Sequence, residues 1–262
     1  MAANDPIEVA VKVAKEAGEL LRQGLSKTRE IEYKGEVDLV TDMDRRAEEL
    51  ICGALMKAFP THGIISEEGH NEKITNKTKW IVDPLDGTTN YAHGFPFFCV
   101  SIALEFEGEL EVGVVYDPMR DELFTAERGK GAKLNGVSIS VSSTDELTRS
   151  LLATGFPYDI RTSAENNITN FSNFAVRAQA IRRAGAAALD LCYLASSRFD
   201  GFWELKLKPW DLAAGVLILK EAGGRVSDLA GNEFSIYDGD VLASNGAIHG
   251  QMMEVLKKGR ES

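Results

Sequence analysis

The chain has 262 residues, 44% of them hydrophobic and 26% charged, and a formal net charge of -11. This length and balance suit one large globular domain or two closely packed halves. The acidic excess argues against a broad nucleic-acid footprint, which needs clustered Lys and Arg, so a small anionic substrate would need local help from cations or helix N-termini.

Asn4-Asp5-Pro6 reads as the cap and first turn of a helix, with Ile7, Ala10, Val13, Ala14, Ala17, Leu20 and Leu21 at a 3.6-residue period and Gly24 at its end. Met1 to Leu21 lacks the basic start and apolar run of a secretory signal, and no stretch approaches the roughly 18 apolar residues of a membrane span. A cytoplasmic protein with no membrane partner is expected. Thr41 precedes a second helix, with Ala47, Leu50, Ile51, Ala54, Leu55 and Ala58 on one face and Phe59-Pro60 as its stop. These two helices should cover one face of a sheet.

From Phe97 to Val141 the pattern becomes short β-rich runs with turn signals at Glu107-Gly108, Asp117-Pro118 and Asn135-Gly136, which predicts an antiparallel meander. After about Ser143 the order alternates. A strand over 150–154, helices over 163–178 and 186–197, a strand over 200–205, a helix from Asp211 to Ala222 closed by Gly223-Gly224, two further strands and a last amphipathic helix predict a mixed α/β part. The expected division is an α+β half at 1–142, carrying most metal ligands, and an α/β half at 143–262 that completes the site. No linker-like stretch separates them, so they should pack as one unit. Cys52, Cys99 and Cys192 lack C-x-x-C spacing and read as buried free thiols.

The chemistry centres on Trp80-Ile81-Val82, a short apolar strand followed at once by Asp83, Asp86, Gly87, Thr88 and Thr89. Two carboxylates three residues apart, with the Leu85 carbonyl between them, supply the hard oxygens that Mg2+ takes and leave places for water and phosphate. The competing reading is an Asp-rich turn with Asp86 capping a helix. Gly87-Thr88-Thr89 offers backbone N–H groups to a phosphate at the start of a possible helix. A second strand, Ile64-Ile65-Ser66, ends in Glu67-Glu68 and would bring Glu67 beside Asp83 if the strands adjoin. Asp44 suits either the site or a capping box, and Asp211 either the site or the positive end of a helix. Clustered acids repel one another, and bound divalent cations remove that cost. With about two or three ions bound, the expected reaction is in-line attack of an activated water on phosphorus, oriented by Thr88 and a carboxylate, without a protein nucleophile.

Together, Trp80-Ile-Val-Asp83-Pro-Leu-Asp86-Gly-Thr88-Thr-Asn90 with Phe95-Pro96, Trp210-Asp211 with Gly223-Gly224, Asp38-Leu-Val-Thr41 with Asp44, and Glu67-Glu68 resemble the inositol monophosphatase family, most closely its bacterial inositol-1-monophosphatase type. The resemblance implies an α+β/α/β fold, a layered α-β-α-β-α sandwich of the sugar phosphatase kind. It implies that Glu67, Asp83 and the Leu85 carbonyl hold one Mg2+, that Asp83, Asp86 and Asp211 hold a second, and that a third leans on Glu67 and water. Gly87 and Thr88 would meet the phosphate, and Thr88 with Asp44 would help Glu67 activate the water. Asp86, Gly185, Ala187, Glu204 and Asp211 would line the polyol ring. Arg183 would touch substrate or a subunit interface, while the Lys34-Gly35-Glu36-Val37 stretch departs from the pattern by being one residue shorter than in some relatives, so the resemblance assigns Lys34 no role near the metals. The implied activity is Mg2+-dependent hydrolysis of inositol-1-phosphate, with lithium sensitivity and a homodimer. Fructose-1,6-bisphosphate, histidinol phosphate and a phosphoadenosine nucleotide are the alternative substrates, with selection placed in loops 156–161 and 182–204.

Two rivals fit the residues less well. A haloacid dehalogenase-type phosphatase uses D-x-D-G-T, whereas the spacing here is D-x-x-D-G-T. A metal-binding regulatory module of the EF-hand kind would need alternating ligands and a distal Glu that this turn lacks.

Overall fold

In chain order a computed structural model of the protein holds α1 (Pro6–Gly24), β1 (Ile31–Tyr33), β2 (Leu39–Thr41), α2 (Asp42–Ala58), β3 (Gly63–Ser66), β4 (Thr78–Asp86), α3 (Thr88–Ala92), β5 (Cys99–Phe106), β6 (Glu109–Asp117), β7 (Glu122–Glu127), β8 (Ala132–Leu134), β9 (Val137–Ser138), β10 (Leu151–Thr154), α4 (Ile168–Ala175), β11 (Ala180–Arg182), α5 (Ala187–Ala195), β12 (Gly201–Glu204), α6 (Pro209–Glu221), β13 (Arg225–Ser227), β14 (Val241–Ser244) and α7 (His249–Arg260). The structure describes residues 4–25, 31–33, 39–73 and 75–260. Lys34 and Asp38 lie outside the described residues.

Among the described residues the strands fall into three sheets, of which β1 and β2 form a small antiparallel pair of their own. Of the other two, the larger runs β3-β4-β5-β6-β7-β8-β9, antiparallel apart from the parallel pair β3 and β4. Its hairpin turns fall where the sequence places them, with Glu107-Gly108 and Asn135-Gly136 all at positive φ, which matches the twist of the flanking strands. The smaller sheet runs β11-β10-β12-β14-β13.

Periodicity decides what packs on each face. The apolar stripe of α1 (Ala10, Val13, Ala14, Ala17, Leu21) and that of α2 (Ala47, Ile51, Leu55) are buried against Trp80, Val82, Val100 and Val114. Each such Leu or Ile contributes roughly 1.5–3 kcal/mol of transfer free energy. On the opposite face lie α5 and α6, apolar nearly all round because a sheet covers them on both sides, and their core joins Ile81 and Phe124 to Phe202 and Val241 of the smaller sheet. Outside that second sheet α4 and α7 close over Leu152, Trp203 and Leu242. The layers are therefore helix, sheet, helix, sheet, helix, the α-β-α-β-α sandwich that the resemblance implied. Cys52, Cys99 and Cys192 are buried free thiols. Among the described residues no helix is long and apolar enough to cross a membrane.

Two expectations need correction. The strand that begins near Trp80 does not stop at Val82 but runs through Asp86, with a bulge opposite β5 between Asp83 and Asp86. The helix expected over 163–178 is only Ile168–Ala175. Asn167 stands before it in the left-handed region at φ 69, held there by tertiary bonds: its amide donates to Gly155 O at 2.7 Å and to Thr154 Oγ1 at 3.0 Å, and its oxygen accepts from Trp203 Nε1 at 2.8 Å. The residues after Ala175 turn instead into β11, a strand of three residues too short to announce itself by alternation.

Candidate active site

The bulge in β4 converts sequence spacing into a shared direction. In an uninterrupted strand, residues three apart face opposite sides of the sheet. Here Asp83 pairs with Ser101 and Asp86 with Cys99, so three steps on β4 oppose two on β5 and both carboxylates point to the same side. Pro84, which has no N–H to offer a ladder, sits inside the irregular stretch. The parallel pairing of Ser66 with Val82, continued by Glu67 N–H to Val82 O at 3.3 Å, sets Glu67 beside Asp83 as the sequence suggested.

The loop that follows Ser66 is anchored by Glu48 of α2, a buried carboxylate that accepts from the Ser66 hydroxyl and from His70 N–H at 3.3 Å. Sequence periodicity had left Glu48 unremarked. From the far side α6 presents Asp211, whose Oδ2 accepts Lys208 N–H at 2.7 Å and closes the helix start.

Each aspartate of the group has one oxygen fixed by a backbone donor. Asp83 Oδ1 accepts from Leu85 N at 2.9 Å. Asp86 Oδ2 accepts from Ala188 N at 2.8 Å, so it caps α5, a helix 102 residues away, and not the short helix that follows it in sequence. That helix, α3, begins instead from Gly87 at φ 96 with no side-chain cap. A Cβ at Gly87 would lie 3.0 Å from Phe97 O. Asp44 forms the capping box and also reaches Thr88. Its Oδ2 completes a capping box with Thr41 N at 2.8 Å, and its Oδ1 accepts from Thr88 Oγ1 at 3.0 Å. Thr88 Oγ1 also lies 3.1 Å from Leu85 O.

Glu67, Asp83, Leu85, Asp86, Gly87, Thr88, Arg183, Gly185, Ala187, Glu204 and Asp211 all line one cleft of 450 Å³, and Asp44 stands behind Thr88. Lys206, Lys208 and Trp210 add cations and an aromatic face to the wall. Lys206 is tied down, by Asp159 at 2.7 Å and by Ser163 Oγ at 2.8 Å. Gly155 was not foreseen, although a glycine directly after a strand is a signal for close approach. A Cβ there would collide with the Glu204 carboxylate, which occupies that space.

Burial dominates the electrostatics, and mutual repulsion adds to it. Burial, then Glu67, Asp86 and Asp211, holds the Asp83 carboxyl well above the usual range. Asp86 is pushed up to about 7 by burial against the pull of the Ala188 N–H. Asp211 rises to about 7 through burial and Asp86, and Glu204 to about 8 through burial and Asp211, with Arg183 opposing. Asp190, in the first turn of α5, is driven well up by burial and then by Glu204 and Asp86, and its Oδ1 is buried without a hydrogen-bond partner. Such a site is unfavourable for bare carboxylates and favourable for hard cations, since every donor is an oxygen. Among the described residues no group of three or more His, Cys, Asp or Glu side chains stands close enough to hold a metal ion, although Glu67, Asp83, Asp86, Glu204 and Asp211 line the same cleft.

Comparison with known proteins agrees with this architecture. The family model described as "Inositol monophosphatase family" matches residues 4–261. The chain is 46% identical over 260 residues to inositol monophosphatase 3 of Solanum lycopersicum, covering 96% of both. It is 45% identical over 242 residues to the Nus factor SuhB of Vibrio cholerae, covering 91% of both. Among solved structures, the inositol monophosphatase of Anabaena superposes with a TM-score of 0.89 at 42% identity, over 96% of this chain and 95% of that one. The extragenic suppressor protein suhB of Bartonella henselae gives 0.90 at 41%, over 96% and 98%. The chain belongs to the inositol monophosphatase family.

Proposed function

We propose that the protein is a Mg2+-dependent phosphatase that hydrolyses inositol-1-phosphate or a related polyol phosphate by direct attack of water. The observation that carries this reading is the β4 bulge, which turns Asp83 and Asp86 to one side, between Glu67 and Asp211. Glu67, Asp83 and the Leu85 carbonyl would hold one ion, and Asp83, Asp86 and Asp211 a second, with Glu67 supporting a third. Bound there, divalent cations supply Lewis acidity toward water and toward the phosphoryl oxygens.

The chain's own groups do the rest. Gly87 and Thr88 meet the phosphate at the start of α3. Thr88 accepts a hydrogen bond from the incoming water while its own proton points to Asp44, which is locked by Thr41 and cannot swing away. Glu67 takes part in the same proton removal. As the new P–O bond forms, the ester P–O bond opens and the leaving oxygen takes a proton from solvent at the open mouth. Gly185, Ala187, Glu204, Asp86, Asp211 and Arg183 line the space for the polyol ring.

The two parts of the chain, 1–142 and 143–262, thus supply the phosphoryl end and most of the ring end respectively. We extend the reading to a cytoplasmic homodimer. The net charge of -11 weighs against nucleic acid as a partner, although the Vibrio cholerae relative carries the name of a Nus factor.

The test is phosphate release from inositol-1-phosphate, fructose-1,6-bisphosphate, histidinol phosphate and a phosphoadenosine nucleotide, with Mg2+ and with EDTA. Release that requires Mg2+ and is fastest on inositol-1-phosphate is expected. Mg2+ binding without release from any of the four would leave a metal-binding regulatory protein as the better account.

A further inference from the structure

Asn90 sits in the middle of α3, two residues past Thr88, and its side chain leaves its own helix. Its Nδ2 lies 2.8 Å from Phe97 O, 2.9 Å from Ala184 O and 3.3 Å from Gly185 O. A primary amide carries two N–H donors. One serves Phe97, close in sequence, and the other is shared between two carbonyls 94 and 95 residues away.

Those carbonyls belong to the link between β11 and α5, which has no ladder or helix of its own to satisfy them. The fit is close. A Cβ at Gly185 would lie 3.2 Å from Asn90 Nδ2, 3.4 Å from its Oδ1 and 2.7 Å from the Arg183 guanidinium, and a Cβ at Gly87 would lie 3.3 Å from Gly185 O. Gly185 also stands at φ 88, so glycine at this point serves both the backbone conformation and the approach of the amide.

The two surfaces joined in this way have different tasks. Gly87, Thr88, Arg183, Gly185 and Ala187 all line the cleft, and on the polyol phosphatase reading Gly87 and Thr88, on the Asn90 side, serve the phosphoryl end while Arg183, Gly185 and Ala187, on the other side, serve the ring end. We propose that Asn90 is a positioning residue whose amide sets the spacing between the phosphoryl end and the ring end of the cleft, and so favours polyol phosphates over phosphate esters that lack a ring. The inference rests on the polyol phosphatase reading of this cleft.

Asn90→Asp tests it without a change of volume, because a carboxylate oxygen replaces the donor and faces three carbonyl oxygens. Asn90→Ala removes the tether. Both variants are compared with wild type in Mg2+ on inositol-1-phosphate and on methyl phosphate, together with inhibition by inorganic phosphate. The expected result is a fall in kcat/KM of roughly 10- to 100-fold on inositol-1-phosphate, the scale of a displacement of about 1 Å. For methyl phosphate and for the inorganic phosphate Ki, changes should stay within about threefold, as expected when the phosphoryl end keeps its own contacts.

A second readout needs no substrate. Native-state trypsin cleavage after Arg182 and Arg183 should accelerate about fivefold or more in both variants, since a tethering bond of about 1 kcal/mol is gone. Equal losses on the two esters, or cleavage at the wild-type rate, overturns the proposal. Should wild type release no phosphate from inositol-1-phosphate, it is the polyol phosphatase reading that fails, and the cleavage rates still decide whether Asn90 holds the loop.

Discussion

Substitution of Gly155 by Ala isolates the contact between the end of β10 and the Glu204 carboxylate. Gly155 lies outside the left-handed region, so alanine meets no backbone strain. The added methyl instead falls on the carboxylate of Glu204, touching its Cδ and both oxygens. The backbone has little room to retreat, because Gly155 O accepts from Asn167 Nδ2 at 2.7 Å and that amide is in turn held by Trp203. The Glu204 side chain must therefore yield, withdrawing by more than about 1 Å to reach an ordinary contact near 3.5 Å. A misplacement of about 1 Å costs on the order of 100-fold in rate, or about 2.7 kcal/mol in transition-state stabilisation. Stability should barely move, since losing glycine's unfolded-state freedom offsets about 0.4–1 kcal/mol of crowding. Initial rates on inositol-1-phosphate and a thermal melt decide it. A kcat/KM within threefold of wild type, with Tm unchanged, would refute the assignment of Glu204 to the ring end of the site.

Replacing Asp83 with Asn removes the carboxylate proposed to serve two ions at once. Turnover should drop more than about 1,000-fold and the Mg2+-induced rise in Tm should shrink, so near wild-type rates would discard the ligand set. The raised carboxyl pKa values of Asp86, Asp211 and Glu204, about 7, 7 and 8, mean that the folded protein in EDTA binds more protons than the unfolded chain. Their contribution is whole below the ordinary carboxylate range near 4 and fades as pH rises through about 7–8. Melts in EDTA from pH 5 to 9 should show Tm falling with pH, with Mg2+ restoring more of it at pH 8 than at pH 5; a flat EDTA profile contradicts the repulsion described. Asn167→Ala orphans Trp203 Nε1 inside the core and leaves the Gly155 carbonyl only its longer bond from the Thr154 hydroxyl, a loss of about 1–3 kcal/mol, measurable by urea unfolding.

Much of this architecture is legible in the residues because its causes are local. The caps at Asp5 and Thr41, the stripes of α1 and α2 and the positive-φ pairs at 107–108 and 135–136 act within a few residues. The adjacency of Glu67 and Asp83 was a conditional reading, and the parallel pairing of β3 with β4 meets the condition. Less legible are features that depend on distant partners. Asp86 suggests a cap for the next helix, yet it caps α5, and nothing near Asn167 announces that Trp203 will hold it in a left-handed turn. The bulge at Pro84-Leu85 belongs to the same class, since it exists only relative to β5.

The bond from Asp86 to Ala188 has one more consequence. It spans 102 residues, and the tether of Asn90 spans 94, so the site is drawn together by contacts of long sequence separation. Contacts of that kind carry a loop-closure cost that local contacts avoid, and they slow folding. A chain emerging from the ribosome can complete its first sheet while Asp211 has not yet been synthesised, and at that stage it has neither the cap on α5 nor the far side of the cleft. The cleft is therefore assembled only once the residues of α6 have joined those of the first sheet.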